Sequence, residues 1–197
     1  NVFFSRPIRW LLALYGDQVI PFEFAGVSSG NITRGLRFHQ PEEIAIQKPA
    51  DYFSALSAQG IILEGDARQR EIITQVNALA AEVGGETPAD QALLDEVTNL
   101  VEAPQPLRGA FDASHLNLPQ EVLISVMKKH QRYFPIQKNG KLLPYFIAVR
   151  NGDGQGLDLV KEGNEHVIRA RFADAAYFIR EDIKRPLEAY LPRLKTL

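Results

Sequence analysis

The sequence predicts an α+β domain: a mixed or antiparallel sheet with hairpins, covered by helices and ending in a long helix. Two observations carry this. Glycine-containing turn pairs, Gly16-Asp17 and Asn139-Gly140, stand between short aliphatic and aromatic runs, which is hairpin chemistry. Elsewhere the apolar residues recur at helical spacing, and hairpins mixed with helix runs belong to the α+β class. No 20–50-residue period is present, so a repeat architecture is excluded.

In chain order, Ile8 to Tyr15 and Val19 to Phe24 read as a strand pair broken at Gly16-Asp17. Gly26, Ser28, Ser29, Gly30 and Asn31 read as a loop leading into a short strand over Thr33–Phe38. There both arginines oppose Leu36 and Phe38 only if a bulge at Gly35 shifts the register. Pro49 suits the first position of a helix over Asp51–Gln59. Asp66 can cap a second helix to Val83, with Ile72, Ile73, Val76, Leu79 and Ala80 at helical spacing and Gly84-Gly85 as the stop. A third helix follows Thr87-Pro88 with Leu93, Leu94, Val97 and Leu100 on one face. This acidic helical segment, 49–101, is expected to be a solvated layer covering the sheet. Strand signals return at Leu107–Phe111. They are followed by a helix from Pro119 to about His130, a strand Tyr133–Gln137, the Asn139-Gly140 turn, a strand Leu142–Arg150, and a loop from Asn151 to Gly156. A long helix, Gly163 to about Asp182, is interrupted near Pro186, with another helical turn or two over Leu187–Leu194.

Composition narrows the function classes. With 197 residues, 45% hydrophobic and 23% charged, the chain can bury a sizeable core. The longest wholly apolar stretch, Trp10 to Tyr15, is far short of the roughly 20 residues that span a bilayer and too short for a signal-peptide core. Zero cysteines exclude thiol nucleophiles, disulfides and Cys-type zinc sites, and fit a reducing cytosol. The net charge of −2 hides an uneven distribution: +2 over residues 1–39, −9 over 40–112 and +5 over 113–197. The first and last thirds are therefore the places to look for a polyanion site.

Candidate residues follow. On the Pro119 helix, Val122, Leu123, Val126 and Met127 share one arc, while Glu121, Ser125, Lys128 and Arg132 share the opposite one. His130 falls near the centre of the apolar arc, either as a hydrogen-bonded histidine at the core edge or as a site residue presented at a helix end. Lys128, Lys129 and Arg132 are either a solvated basic face or, followed by Tyr133 and Phe134, a phosphate-and-stacking surface. On the long helix, Glu165 and Arg169 stand one turn apart as an exposed pair. Asn164 and Arg171 project into the arc of Ile168, Phe172, Ala175 and Ile179, so each needs a partner: for Arg171 an acid such as Asp174 or Asp182, or an anion. The four histidines show no metal-ligand pairing, and neither a nucleophile elbow nor a phosphate-cradling Gly-x-x-x-x-Gly-Lys loop occurs. Gly152, Gly154 and Gly156 do not make a dinucleotide fingerprint.

Several longer strings are more specific. Arg6-Pro7-Ile8-Arg9-Trp10, Thr33-Arg34-Gly35-Leu36-Arg37-Phe38, Met127-Lys128-Lys129-His130-Gln131-Arg132-Tyr133-Phe134-Pro135, Phe146-Ile147-Ala148-Val149-Arg150-Asn151-Gly152 and Glu162-Gly163-Asn164-Glu165-His166-Val167-Ile168-Arg169-Ala170-Arg171-Phe172 occur in this order. Over essentially its whole length the chain resembles the beta subunit of the bacterial two-subunit glycyl-tRNA synthetase, as an internal piece of it. The resemblance implies a cytoplasmic α2β2 enzyme that joins glycine to tRNA-Gly. It places ATP and Mg on the alpha subunit and no cofactor or metal in this segment. It also implies a B3/B4-like domain over 1–160 and a long helix with linker over 161–197, leading toward the next domain of the subunit. The expected partners are tRNA-Gly, the alpha subunit and the remaining beta domains, with no membrane. The implied role is a non-catalytic tRNA-binding and assembly domain using Arg34, Arg37, Lys128, Lys129, His130, Arg132, Arg150, Asn164 and Arg171. The alternatives are an editing hydrolase acting on mischarged tRNA and a structural inter-subunit spacer. Editing is the less favoured on physical grounds, because a tight pocket for glycine, the smallest amino acid, rejects larger competitors by steric clash.

Overall fold

A computed structural model of the chain describes residues 7–36 and 43–191 and has the α+β architecture expected. The N-terminal part is built of short strands: β1 (Leu11–Leu12), β2 (Leu14–Tyr15), β3 (Gln18–Val19), β4 (Glu23–Phe24), β5 (Val27–Gly30), β6 (Ile32–Arg34) and β7 (Glu43–Ala45). The hairpin at Gly16-Asp17 forms, pairing β2 with β3. The loop expected over residues 26–31 is instead largely strand β5, antiparallel to β4 and parallel to β1. Ala25 and Gly26 both adopt positive φ, 55° and 76°, and this reverses the chain within two residues. Ser29, which read as loop, holds the neighbouring segment: its hydroxyl accepts from Phe22 N at 3.0 Å and donates to Ile20 O at 2.6 Å. The strand expected over Thr33–Phe38 ends at Arg34, with Thr33 buried opposite Ile44 of β7. Arg37 and Phe38 lie outside the described residues.

Three helices follow: α1 (Asp51–Ser57), α2 (Gly65–Ala81) and α3 (Gln91–Leu100). Asp66 does not cap α2; Glu64 is its N-cap and Asp66 sits in the first turn, where its charge still favours the helix dipole. The cap of α3 is Asp90, which accepts from Leu93 N at 3.0 Å. Leu100 was expected on the buried face but is exposed at the last turn; Thr98 is buried instead, its hydroxyl donating to Leu94 O at 2.7 Å.

The remaining elements are β8 (Pro104–Ala110), a 3-10 helix (Ala113–Asn117), α4 (Gln120–Gln131), β9 (Phe134–Lys138), β10 (Lys141–Asn151), α5 (Leu157–Asp182) and a 3-10 turn (Leu187–Tyr190). The first 3-10 helix carried no apolar period; it is set by Asp112, which accepts from Ser114 N at 2.8 Å. That backbone bond holds the Asp112 carboxyl below the usual carboxylate range. Asn139 and Gly140 form the expected turn with φ of 51° and 75°. α5 begins six residues before Gly163, at a Gly156 N-cap with φ 64°. Gly163 does not break it, because a helix interior admits glycine at a cost of about 1 kcal/mol.

The strands β8, β10 and β9 form one antiparallel sheet in that order. Its period-2 alternation feeds two cores. Phe134, Ile136 and Ile147 face α2 and α3, where Ile72, Val76, Ala80, Leu94 and Val97 close over them. Leu107, Phe146 and Ala148 face α4 and α5, against Leu123, Met127, Ile168 and Phe172. Within the acidic helical segment α2 and α3 are thus the cover expected, whereas Tyr52 and Leu56 of α1 line a cleft with Trp10 and Arg34; β10 is apolar on both sides because both are packed. Pro144, which has no N–H to give, sits where the β10–β9 register shifts between Leu142 and Phe146. Among the described residues no helix is long and apolar enough to cross a membrane.

Candidate nucleic-acid interface

An open groove of about 330 Å³ lies between the end of α3, the α4–β9 junction, the end of β10 and the start of α5. Val97, Val101, Val149 and Val160 make its walls, while Arg132, Tyr133, Arg150 and Asn164 supply its polar groups. Three of the residues singled out in the sequence therefore meet, although they are distant in the chain.

Each is positioned by a local device. α4 ends at Arg132, whose left-handed conformation (φ 57°) turns the chain into β9; its N–H closes the helix on Lys128 O at 3.1 Å. The Arg132 guanidinium is thereby sent toward α3, where Nε donates to Glu96 Oε1 at 2.7 Å. One turn earlier Lys128 is paired with Asp90. The hydrogen bond from Lys128, ahead of that from Leu93 N, holds the Asp90 carboxyl below its ordinary value. The negative and positive thirds of the chain thus meet along the α3–α4 contact and cancel part of each other's charge.

Asn164 is at the core edge and satisfied as its position required. Its Oδ1 accepts from the Tyr133 hydroxyl at 2.5 Å and its Nδ2 donates to Val160 O at 2.6 Å. The Tyr133 ring stacks on Phe146, centroids 4.6 Å apart and planes 15° from parallel. Burial pushes the Tyr133 phenol up to about 12. The sign follows from linkage: a phenol that ionises later in the folded state stabilises it below pH 10, and that contribution is lost as the pH rises toward 12. An ultraviolet titration should accordingly show one of the six tyrosines ionising about two pH units after the ordinary value, and Tyr133→Phe should remove that late step. Arg150 closes the groove from below: NH1 donates to Gln155 O at 2.5 Å and NH2 lies 3.9 Å from Asp153 Oδ1, which fastens the loop that leads into α5.

The other candidates are placed differently. Lys129 and His130 are exposed on the last turn of α4 and do not line the groove. His130 does not reach the apolar arc, because the buried line of α4 is Leu123 and Met127 and the left-handed turn at Arg132 ends it. Arg171 is exposed beside Asp174, at 4.0 Å, and not in the buried arc. The core line of α5 runs through Ile168, Phe172 and Ala175, and Arg171 stands about 100° from Phe172 around the helix. Glu165 does not pair with Arg169; its Oε1 accepts from Ala110 N at 2.8 Å and ties α5 to the end of β8. Arg34 lies on β6, paired with Glu43 at 2.7 Å and with its guanidinium 5.9 Å from the Trp10 ring. It lines a separate cleft of about 250 Å³ with Tyr52 and Arg68. Arg37 lies outside the described residues.

Sequence reasoning missed the acidic partners Asp90 and Glu96 and the role of Tyr133. Only Asp90 had a local signal, its position three residues before Leu93 at a helix start.

The whole chain, residues 1–197, matches the family model described as "Glycyl-tRNA synthetase beta subunit". It is 49% identical over its full length to the glycine–tRNA ligase beta subunit of Clostridioides difficile (strain 630), covering 29% of that protein. It is 47% identical over 97% of its length to that of Oceanobacillus iheyensis, covering 28%. For Bacillus subtilis (strain 168) the identity is 44% over 98% of the chain, again covering 29%. The chain spans less than a third of the length of these relatives. The strings around Arg132, Arg150 and Asn164 that build the groove lie inside these matches, and the chain belongs to the glycyl-tRNA synthetase beta-subunit family.

Proposed function

We propose that this chain is the part of a glycine–tRNA ligase beta subunit that contacts tRNA-Gly and helps assemble the enzyme in the cytoplasm. The aminoacylation chemistry, with ATP and Mg, belongs to the alpha subunit. The observation that carries this reading is the meeting of Arg132, Arg150 and Asn164 in one open groove, with Lys129 and His130 exposed on the last turn of α4 just before Arg132. A guanidinium carries five N–H donors, and the bonds of Arg132 to Glu96 and to the carbonyls of Lys129 and His130 leave NH2 for a phosphate. The ion pairs fix the side chain in place, so less conformational entropy is lost when an anion arrives. The one hydroxyl in the groove is unsuited to hydrolysis: Tyr133 is bound to Asn164 and ionises only near pH 12, far from the neutral range where a general base works. That favours binding over editing.

The test uses the α2β2 holoenzyme with Lys129→Gln, Arg132→Gln and Arg150→Gln combined. A charge-assisted bond is worth about 1.5–3 kcal/mol, so the KM for tRNA should rise about tenfold or more. Glycine-dependent ATP–pyrophosphate exchange, which needs no tRNA, should stay at the wild-type rate. An unchanged KM for tRNA would overturn the proposal.

A further inference from the structure

The line of α5 that enters the core continues past it. Ile168, Phe172 and Ala175 are buried, Ile179 is half-buried, and the next residue on the same line, Ile183, is 77% exposed. After Pro186 the 3-10 turn presents Leu187 at 82% exposure and Leu191 at 59%. Beside them Tyr177 and Phe178, their rings edge to face at 5.6 Å, are both more than half exposed. A single exposed apolar residue is ordinary, but five within residues 177–191, one of them on the continuation of a core line, are not. From Ala175 to Asp182 the helix runs on for about 10 Å at 1.5 Å per residue.

We propose that this end of α5 is the seat of another segment of the same beta subunit, packed against Phe178, Ile183 and Leu187. Three observations choose this occupant. First, the relatives carry more than two thirds of their length outside the matched segment, so a partner within the subunit is at hand. Second, five side chains offer a few hundred Å² at most, below the roughly 600 Å² per partner of a stable interface between independent molecules. A tethered segment, at an effective concentration in the millimolar range, is held by such a patch. Third, the flanking charges balance, with Arg180, Lys184 and Arg185 against Glu181, Asp182 and Glu188, and Lys184 is already paired with Glu181 at 2.6 Å. A polyanion finds no net attraction there. The inference rests on the family membership and not on the groove, which uses the opposite end of α5.

In the full-length beta subunit, assembled with its alpha partner, Leu187 and Tyr177 are each replaced by the photo-crosslinking residue benzoylphenylalanine. Irradiation of a mixture of light and heavy-isotope beta subunits is followed by peptide mass spectrometry. The expected adducts join these positions to beta-subunit residues outside this 197-residue segment and carry a single isotope label. Adducts to the alpha subunit, mixed-label adducts, adducts confined to this segment, or no adducts from either position would overturn it. The double variant Ile183→Asp/Leu187→Asp supplies a second measurement. Amide exchange in the crosslinked segment should quicken at least tenfold while β8–β10 keep their protection, and unchanged exchange would contradict the proposal.

Discussion

Gly109→Ala should be strongly destabilising although it adds a single methyl group. Gly109 of β8 faces Phe146 of β10 in register, and a Cβ there would stand 2.3 Å from Phe146 Cζ, 2.7 Å from Cε1 and 2.9 Å from Cε2. All three distances are closer than real Cβ contacts. The ring cannot swing aside, because its other side is stacked on Tyr133 and the residue is fully buried. Overpacking costs typically 1–3 kcal/mol, and here we expect about 3 kcal/mol, out of a total of about 5–15 kcal/mol for a domain. The shift would also pull Tyr133 off Asn164, coupling core damage to the groove. Urea denaturation checks the value, and an unfolding free energy unchanged within about 0.5 kcal/mol would contradict this packing. Phe146→Leu in the same chain should recover part of the loss, since neighbours in contact are not additive.

Phe172→Ala should cost about 3–5 kcal/mol, the range for emptying a buried aromatic site. Phe172 is fully buried, and its ring meets Phe111 edge-on at 4.9 Å and 89° and His115 at 5.4 Å. With Ile168 it is the main anchor of α5 on the sheet. Loosening that anchor should move Asn164 away from Tyr133, two turns toward the helix start. The late tyrosine ionisation would then return toward pH 10, a readout that separates loss of the α5 contact from global unfolding when taken in conditions where the variant is still folded. Retention of the late step together with wild-type stability would show that α5 is held by something other than this core.

What could be read in the sequence, and what could not, divides by distance along the chain. The segment from Pro119 to Arg150 was legible because each element there carries its own signal: a 3.6-residue period in α4, two positive-φ residues at Asn139-Gly140, and a continuous apolar run in β10. β5 was hidden, because its serines and glycine are turn residues by composition and become a strand only through pairing with β1 and β4. The start of α5 was missed because Gly163 and the glycines before it outweighed a periodicity that begins at Leu157. At the groove, Asn164 was legible from its place on an otherwise apolar line. The pairing of Lys128 with Asp90 and of Arg132 with Glu96 joins residues more than 30 apart, and nothing local encodes it. For that reason a charge count that separated an acidic cover from a basic site did not reveal that the two neutralise each other where they touch.

The measurement closest to the central claim is the salt dependence of tRNA binding by the holoenzyme, wild type against Lys129→Gln/Arg132→Gln/Arg150→Gln. Each phosphate contact contributes about 0.7–0.9 to the slope of log affinity against log salt. If the groove and the last turn of α4 hold the tRNA backbone, the variant should bind more weakly at low salt with a slope shallower by about 2. A variant whose affinity and slope both match the wild type would contradict the account.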